Sequence, residues 1–303
     1  MKRSSNTEPI PPPYQAAMVN TVQFHSNDNC PHQLQLFRTH HSPDTSPVIL
    51  CFPAMGVHAS HYTQLASHFN EQGFHFACTD LRGNGPQQKK PSWFNNFGYQ
   101  EMLEQDWPAS ITEVKKHFPR SPIFLMGHSL GGQLSVCFSA LNPNVIQGII
   151  LVAAGTSHYN AFHHKLRTYC ASQLLSLMSY FTGYLSYKKQ GLRVREARQL
   201  TRDYAYNVRT GRYRIKQANG YKSLDGYLTQ MKTAILAFSF DGDRYTPHSS
   251  TVKLLDKLSR AKKTHIRTSA LEMQIHSIDH FNWVQNGDKL VPSITKWIIQ
   301  QGD

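Results

Sequence analysis

The rhythm of apolar and polar positions changes along the chain. Short continuous apolar runs at residues 48–52, 74–78, 123–126, 145–154 and 234–240 suit strands buried on both faces. Between them, apolar residues recur at helical spacing over 60–72, 99–117, 132–141 and 249–258, and an amphipathic stretch closes the chain at 283–299. Residues 21–26 and 33–39 alternate with period two, as a strand pair at a sheet edge does, and a further strand falls around 265–268. Gly73 stops the first helix, Pro108 marks a kink or break in the second, and Asn142-Pro143 stops the third. Strand and helix alternating in this order predict an α/β fold: a mostly parallel central sheet with helices on both faces.

The alternation lapses between 155 and 228. Leu174, Leu175, Leu177, Met178, Phe181 and Leu185 recur there at helical spacing, and ten of the fourteen tyrosines fall in the same stretch. This predicts a mainly helical cap whose apolar stripe either packs the cap on the core or lines an acyl pocket. The chain then divides into a mobile tail at 1–20 with Pro9, Pro11, Pro12 and Pro13, a first core part at 21–154, a cap at 155–230 and a second core part at 231–303.

Composition narrows the class. No run approaches about 18 apolar residues and the N-terminus lacks an apolar signal region, which predicts a soluble, cytoplasmic protein. Cys30, Cys51, Cys78, Cys137 and Cys170 are odd in number and scattered, so they read as small hydrophobes of a reducing compartment. The net charge of +13 is uneven: residues 155–225 hold thirteen Lys or Arg against Glu196, Asp203 and Asp225, a net +10. Such a patch can attract an anionic substrate, make weak contact with an anionic membrane surface, bind nucleic acid, or stay solvated with no partner. No specific nucleic acid is expected.

The chemistry centres on Gly127-His128-Ser129-Leu130-Gly131. An apolar strand runs into it and a helix leaves it, which predicts a nucleophile elbow with Ser129 at the tip. Its glycines allow the strand and helix to approach closely. A serine hydroxyl is a weak nucleophile near neutral pH and needs a base, which in turn needs a carboxylate to orient it. Asp243 follows the strand at 234–240 and opens Asp-x-x-x-Pro, with Asp241 in reserve. Among His248, His265, His276 and His280, only His280 closes a loop directly before the terminal helix, with Phe281 and Trp283 behind it, and His276 is next. Oxyanion donors are expected at the Leu130 N–H and, from the loop after 48–52, at Met55 or else Ala54. This chemistry requires no metal and no organic cofactor.

With Pro53-Ala54-Met55-Gly56-Val57, Asp80-Leu81-Arg82-Gly83-Asn84-Gly85, Gly127–Gly132, Asp243-Arg244-Tyr245-Thr246-Pro247 and Asp279-His280-Phe281, the chain resembles the α/β-hydrolase superfamily over about residues 33–303. The likeness is to its esterase/lipase and serine-aminopeptidase-like branch of bacterial hydrolases. The resemblance implies a Ser129–His280–Asp243 triad, an oxyanion hole from Met55 and Leu130, and a cap inserted after the sixth core strand. It departs from many relatives in Pro-Ala where they have His-Gly, and in Asp279 before the histidine, an acid that either perturbs His280 or faces solvent. The function implied is a serine hydrolase acting on a small-molecule ester or thioester. An aminopeptidase on short peptides and an acyltransferase are alternatives on the same triad; a non-catalytic binding protein is the alternative of another class.

Overall fold

The computed structural model describes residues 19–39, 45–189 and 192–302. The expected tail at 1–20 lies mostly outside those residues. Strands β1 (Val19–His25), β2 (Pro31–Phe37) and β3 (Val48–Phe52) lead to helix α1 (Thr63–Glu71), then to β4 (His75–Thr79). Helices α2 (Tyr99–Glu101) and α3 (Trp107–His117) follow, then β5 (Ile123–His128), α4 (Leu130–Leu141) and β6 (Gly148–Val152). After an intervening segment come β11 (Ala234–Phe240), α8 (His248–Asp256), β12 (Lys263–Thr268) and α9 (Val291–Ile299). Eight strands form one sheet in the order β1-β2-β4-β3-β5-β6-β11-β12. The β1–β2 and β2–β4 pairs are antiparallel and all other pairs parallel, so the early strand pair does sit at an edge. This is the expected mostly parallel α/β sheet.

Its two faces bury separate cores. One gathers Leu50, Trp107, Leu125, Leu134 and Phe138, and the other Phe69, Phe76, Met126, Trp283 and Trp297. Strands β3 to β6 are buried residue by residue, which is why they read as unbroken apolar runs rather than alternating ones.

Two expectations about helices change in detail. Pro108 does not break its helix; a π-helical turn, Met102–Asp106, precedes it, with the Trp107 N–H bonded to the Met102 carbonyl, and Pro108 then occupies the first turn of α3. A proline lacks only an N–H that a first turn does not need. The terminal stretch splits into a 3-10 segment, Asn282–Lys289, kinked at Asn286, and α9, whose first turn holds Pro292.

Between β6 and β11 the chain forms α5 (Lys165–Thr182), β7 (Tyr184–Lys189), β8 (Leu192–Ala197), α6 (Arg198–Thr210), β9 (Arg214–Gln217), β10 (Gly220–Ser223) and α7 (Asp225–Gln230). Helices thus share this segment with two antiparallel hairpins, β7–β8 and β9–β10. The apolar stripe of α5 does not pack on the core. Leu174 is 57% exposed, Leu177 54% and Phe181 70%, while the only fully buried residues of α5 are Ser172 and Ser179. The two buried serines donate to carbonyls of their own helix, and Gln173 joins α5 to α6: its Nε2 donates to the Ala205 carbonyl at 2.9 Å and its Oε1 accepts from Arg209 at 3.0 Å. Asp203 on α6 ties the segment to the core, accepting the Tyr99 N–H at 3.1 Å and the Gln199 amide at 2.8 Å.

The Asp80-Leu81-Arg82 motif serves the scaffold. Asp80 Oδ1 accepts the Ala59 N–H at 2.8 Å, fixing a 3-10 turn at Ala59–Tyr62. Arg82, buried, bonds Asp106 through Nε at 3.1 and 3.0 Å and Asp28 through its terminal nitrogens at 2.6 and 3.0 Å. Gln88 Oε1 accepts the N–H groups of Gly83 and Gly85 at 2.7 and 3.1 Å, closing the glycine turn.

Candidate active site

The loops that carry the expected site residues all leave the C-terminal ends of parallel strands, on one edge of the sheet. Ser129 follows β5 in the centre, the Pro53–Val57 loop follows neighbouring β3, Asp243 follows β11, and His280 follows β12 after a loop. Ligand sites in open α/β sheets form at this edge.

Ser129 has φ 54° and ψ −116°, a backbone region costing a non-glycine residue about 1–3 kcal/mol. The strain persists because the turn is fixed from both sides: Ser129 N–H donates to the Val152 carbonyl at 3.2 Å, and its own carbonyl accepts from Gly132 and Gln133 at 3.1 Å each. Close approach explains the glycines. A Cβ on Gly131 would fall 2.2 Å from the Phe52 carbonyl oxygen and 2.6 Å from that of Pro53, so only glycine lets α4 press against the β3 loop. Leu130, buried, is the first residue of α4, where an α-helix has no internal acceptor for the N–H.

In the β3 loop, the Val57 N–H reaches back to the Ala54 carbonyl at 3.0 Å, and Gly56 takes φ 68°. This is a tight turn with glycine at the position requiring positive φ, and Met55 lies at its tip. The Ala54 N–H, one of the two donors that the sequence left open, donates to Tyr62 Oη at 3.3 Å.

Asp243 and His280 are in direct contact. His280 Nδ1 lies 2.8 Å from Asp243 Oδ2, and both side chains are buried. The other carboxylate oxygen accepts the Tyr245 and Thr246 N–H groups at 2.8 Å each, so the carboxylate cannot swing away. The two loops meet at Gly242, where a Cβ would lie 2.1 Å from the Ile278 carbonyl oxygen. Asp241 points elsewhere, paired with Arg267 at 2.6 Å on the surface. His276 is exposed, and His248 and His265 stack on each other around Ser239 Oγ, each 2.9 Å from it. Of the four candidate histidines, His280 is therefore the one set against a buried acid.

The residue before Ser129 reaches this pair. The His128 ring packs against the His280 ring with centroids 4.9 Å apart. Asp279 faces solvent, and its Oδ1 accepts the N–H groups of Phe281 and Asn282 at 2.7 and 2.8 Å, capping the segment that follows His280. Trp283 is fully buried behind that loop, as its position suggested.

Sequence reasoning missed two groups. Tyr62 and His128 lie 2.8 Å apart, buried, between the β3 loop and His280. His128 sits inside the elbow motif, so its place was visible though its partner was not; Tyr62 carries no local signal. Tyr245, 67% exposed, lies against the His280 ring at 5.2 Å.

The serine aminopeptidase S33 family pattern matches residues 43–272, three quarters of the chain. The chain belongs to this family of hydrolases. Among curated relatives, it is 28% identical over 120 residues to monoglyceride lipase of Rattus norvegicus, 39% of either chain, and 28% identical over 113 residues to a monoglyceride lipase homolog of Monkeypox virus. The match to these relatives spans about two fifths of their length. A soluble variant of monoglyceride lipase from Saccharomyces cerevisiae, solved with a substrate analog, superposes with a TM-score of 0.68 at 13% identity, covering 97% of this chain and 98% of that one. That likeness gives the α/β-hydrolase fold over the whole chain. The S33 hydrolase is thus a member of the esterase/lipase α/β-hydrolase superfamily. Among its described residues, no helix is long and apolar enough to cross a membrane.

Proposed function

We propose that this S33-family chain is a serine hydrolase that cleaves a small-molecule carboxylic ester or thioester through an acyl-enzyme on Ser129. The observation that carries the reading is the buried Asp243–His280 pair, 2.8 Å apart, at the sheet edge where a strained serine opens a helix. His280 Nε2 takes the Ser129 hydroxyl proton as Oγ bonds to the substrate carbonyl carbon. The carbonyl oxygen becomes an oxyanion held by the N–H groups of Leu130 and Met55; the engagement of the Ala54 N–H by Tyr62 favours Met55 over Ala54. His280 gives the proton to the leaving oxygen or sulfur as that bond breaks. Water then attacks the acyl-enzyme, losing a proton to His280, and the acid departs as Ser129 regains its own. Asp243 holds Nδ1–H and stabilises the imidazolium. The names of the relatives favour a monoacylglycerol-like ester. The aminopeptidase alternative is less favoured, because the acids of 155–230 are already engaged: Glu196 and Asp203 are buried with neighbours and Asp225 pairs with Lys257 at 3.4 Å. The segment 155–230 acts as the cap in this reading, and the free cysteines fit a cytoplasmic setting.

The test is labelling by a fluorophosphonate, wild type against Ser129→Ala, with p-nitrophenyl esters of graded acyl length alongside. Labelling and turnover that vanish in the variant support the reading; an unlabelled, folded wild type overturns it.

A second reading concerns the outer face of α5. Leu174, Leu177 and Phe181 are exposed there, Trp93 packs against Gly183 just beyond the helix end, and Lys165, Arg167 and Lys188 are exposed nearby. Apolar groups flanked by cations suit the surface of an anionic bilayer. Cosedimentation with phosphatidylglycerol vesicles, falling with salt and lost in Leu177→Ser/Phe181→Ser, is the expected result; equal partition onto neutral and anionic vesicles at any salt rules out the charge-assisted contact.

A further inference from the structure

Four buried residues from four separate stretches share one chain of hydrogen bonds. Trp283 Nε1 lies 3.4 Å from His128 Nε2, His128 Nδ1 lies 2.8 Å from Tyr62 Oη, and the Ala54 N–H donates to the same Tyr62 oxygen at 3.3 Å. The direction of donation follows from chemistry. An indole N–H can only donate, so Nε2 accepts, and a neutral imidazole then carries its proton on Nδ1 and donates it to Tyr62. Burial, with the neighbouring Cys51 and Cys78, pushes the Tyr62 phenol well above its ordinary range, so it stays neutral and its lone pairs receive both donors.

The positions along the sequence give the chain its meaning. Ala54 immediately precedes Met55, His128 immediately precedes Ser129, and Trp283 is three residues past His280. One phenolic oxygen therefore fixes the register of the β3 loop against the nucleophile turn, and Trp283 extends the tie to the histidine loop. Ring packing reinforces it: His128 stands edge-on to Trp283 at 5.3 Å and tilted against His280 at 4.9 Å.

On the serine-hydrolase reading above, we propose that Tyr62 is a positioning residue that holds the Met55 oxyanion donor, Ser129 and His280 in mutual register through Ala54, His128 and Trp283. It touches no substrate. Removing its oxygen leaves the Ala54 N–H and His128 Nδ1–H without their shared acceptor, and both loops shift to find others. Displacements of about 1 Å at reacting groups lower rates by about 100-fold, and they act on the transition state more than on substrate binding.

The experiment compares wild type, Tyr62→Phe, Trp283→Phe and the double variant by steady-state hydrolysis of a p-nitrophenyl ester, with kcat normalised to the fraction of Ser129 titrated by fluorophosphonate. The expected result is a fall in kcat of about 10- to 100-fold for Tyr62→Phe with KM within about twofold, a smaller fall for Trp283→Phe, and a double variant well above the product of the two, since both act through His128. Wild-type kcat per titrated site in Tyr62→Phe, or losses that multiply, would overturn the role. Should Tyr62→Phe not fold, Trp283→Phe decides from the other end of the chain: unchanged kcat per site there overturns the proposal. Turnover that survives Ser129→Ala would overturn the hydrolase reading as well, which separates the two failures.

Discussion

Helices α4 and α5 are both rich in apolar residues, yet α4 buries eleven of its twelve residues and α5 two of its eighteen. Helix α4 lies against β3, β5 and β6 with α7 beyond, so every face meets protein. Helix α5 lies on α6 and β7 and meets them with serines, a threonine and Gln173, leaving its leucines outside. Apolar content thus says how much a helix can bury, and its place in the fold says what it does bury. The region around α4 is closely packed, whereas α5 leaves Leu174, Leu177 and Phe181 exposed.

Substitutions in the two regions can break this contrast. The largest effect is expected at the acid: Asp243→Asn should lower kcat by about 10,000-fold, whereas Asp241→Asn, which only loses a surface pair with Arg267, should change it less than about twofold. Comparable losses in ester assays of both would dissolve the assignment. Next comes the scaffold beneath: Arg82→Met takes the guanidinium from between the buried Asp106, which keeps only His32, and Asp28, and should cost up to about 3–5 kcal/mol in urea unfolding. The two helices can then be compared directly. Leu134→Ala on α4 should cost about 2–5 kcal/mol, and Leu177→Ala on α5 less than about 0.5, by the same denaturation measurement.

The smallest effect is one of pH. Burial pushes the Asp203 carboxyl up to about 7, against the Tyr99 and Gln199 hydrogen bonds that favour its charged form. A folded value above the ordinary one means that its contribution is complete below about 3.8 and is lost as pH rises through about 7. Melting temperature should therefore fall between about pH 4 and 7 in wild type, level off above that, and fall less in Asp203→Asn. Asp28 runs the other way. Burial alone would raise its carboxyl, but Arg82 and Ser26 outweigh that and hold it at about 2, so its contribution is present above about 3.8 and fades as pH drops through 2.

Much of the site was legible because its signals are local. A strand that meets glycines around a serine encodes its own turn, and Asp243 and His280 follow strands whose apolar runs mark where the sheet edge must be. What stayed open in the sequence depends on partners far along the chain. Asp241 and Asp243 differ only in what lies opposite them, Arg267 in one case and His280 in the other. The Ala54 N–H finds its acceptor in Tyr62, eight positions on, and α5 meets α6 through Gln173 while its leucines lie exposed.

The sequence by itself determined the parallel sheet, the order of its elements and the serine turn, because hydrophobic period and glycine sterics act over a few residues. Only the tertiary structure decided that Asp243 meets His280, that the segment 155–230 carries hairpins and faces its leucines outward, and that Tyr62 lies between Ala54 and His128. Those outcomes rest on distances between residues 8 to 155 positions apart, which no local pattern records.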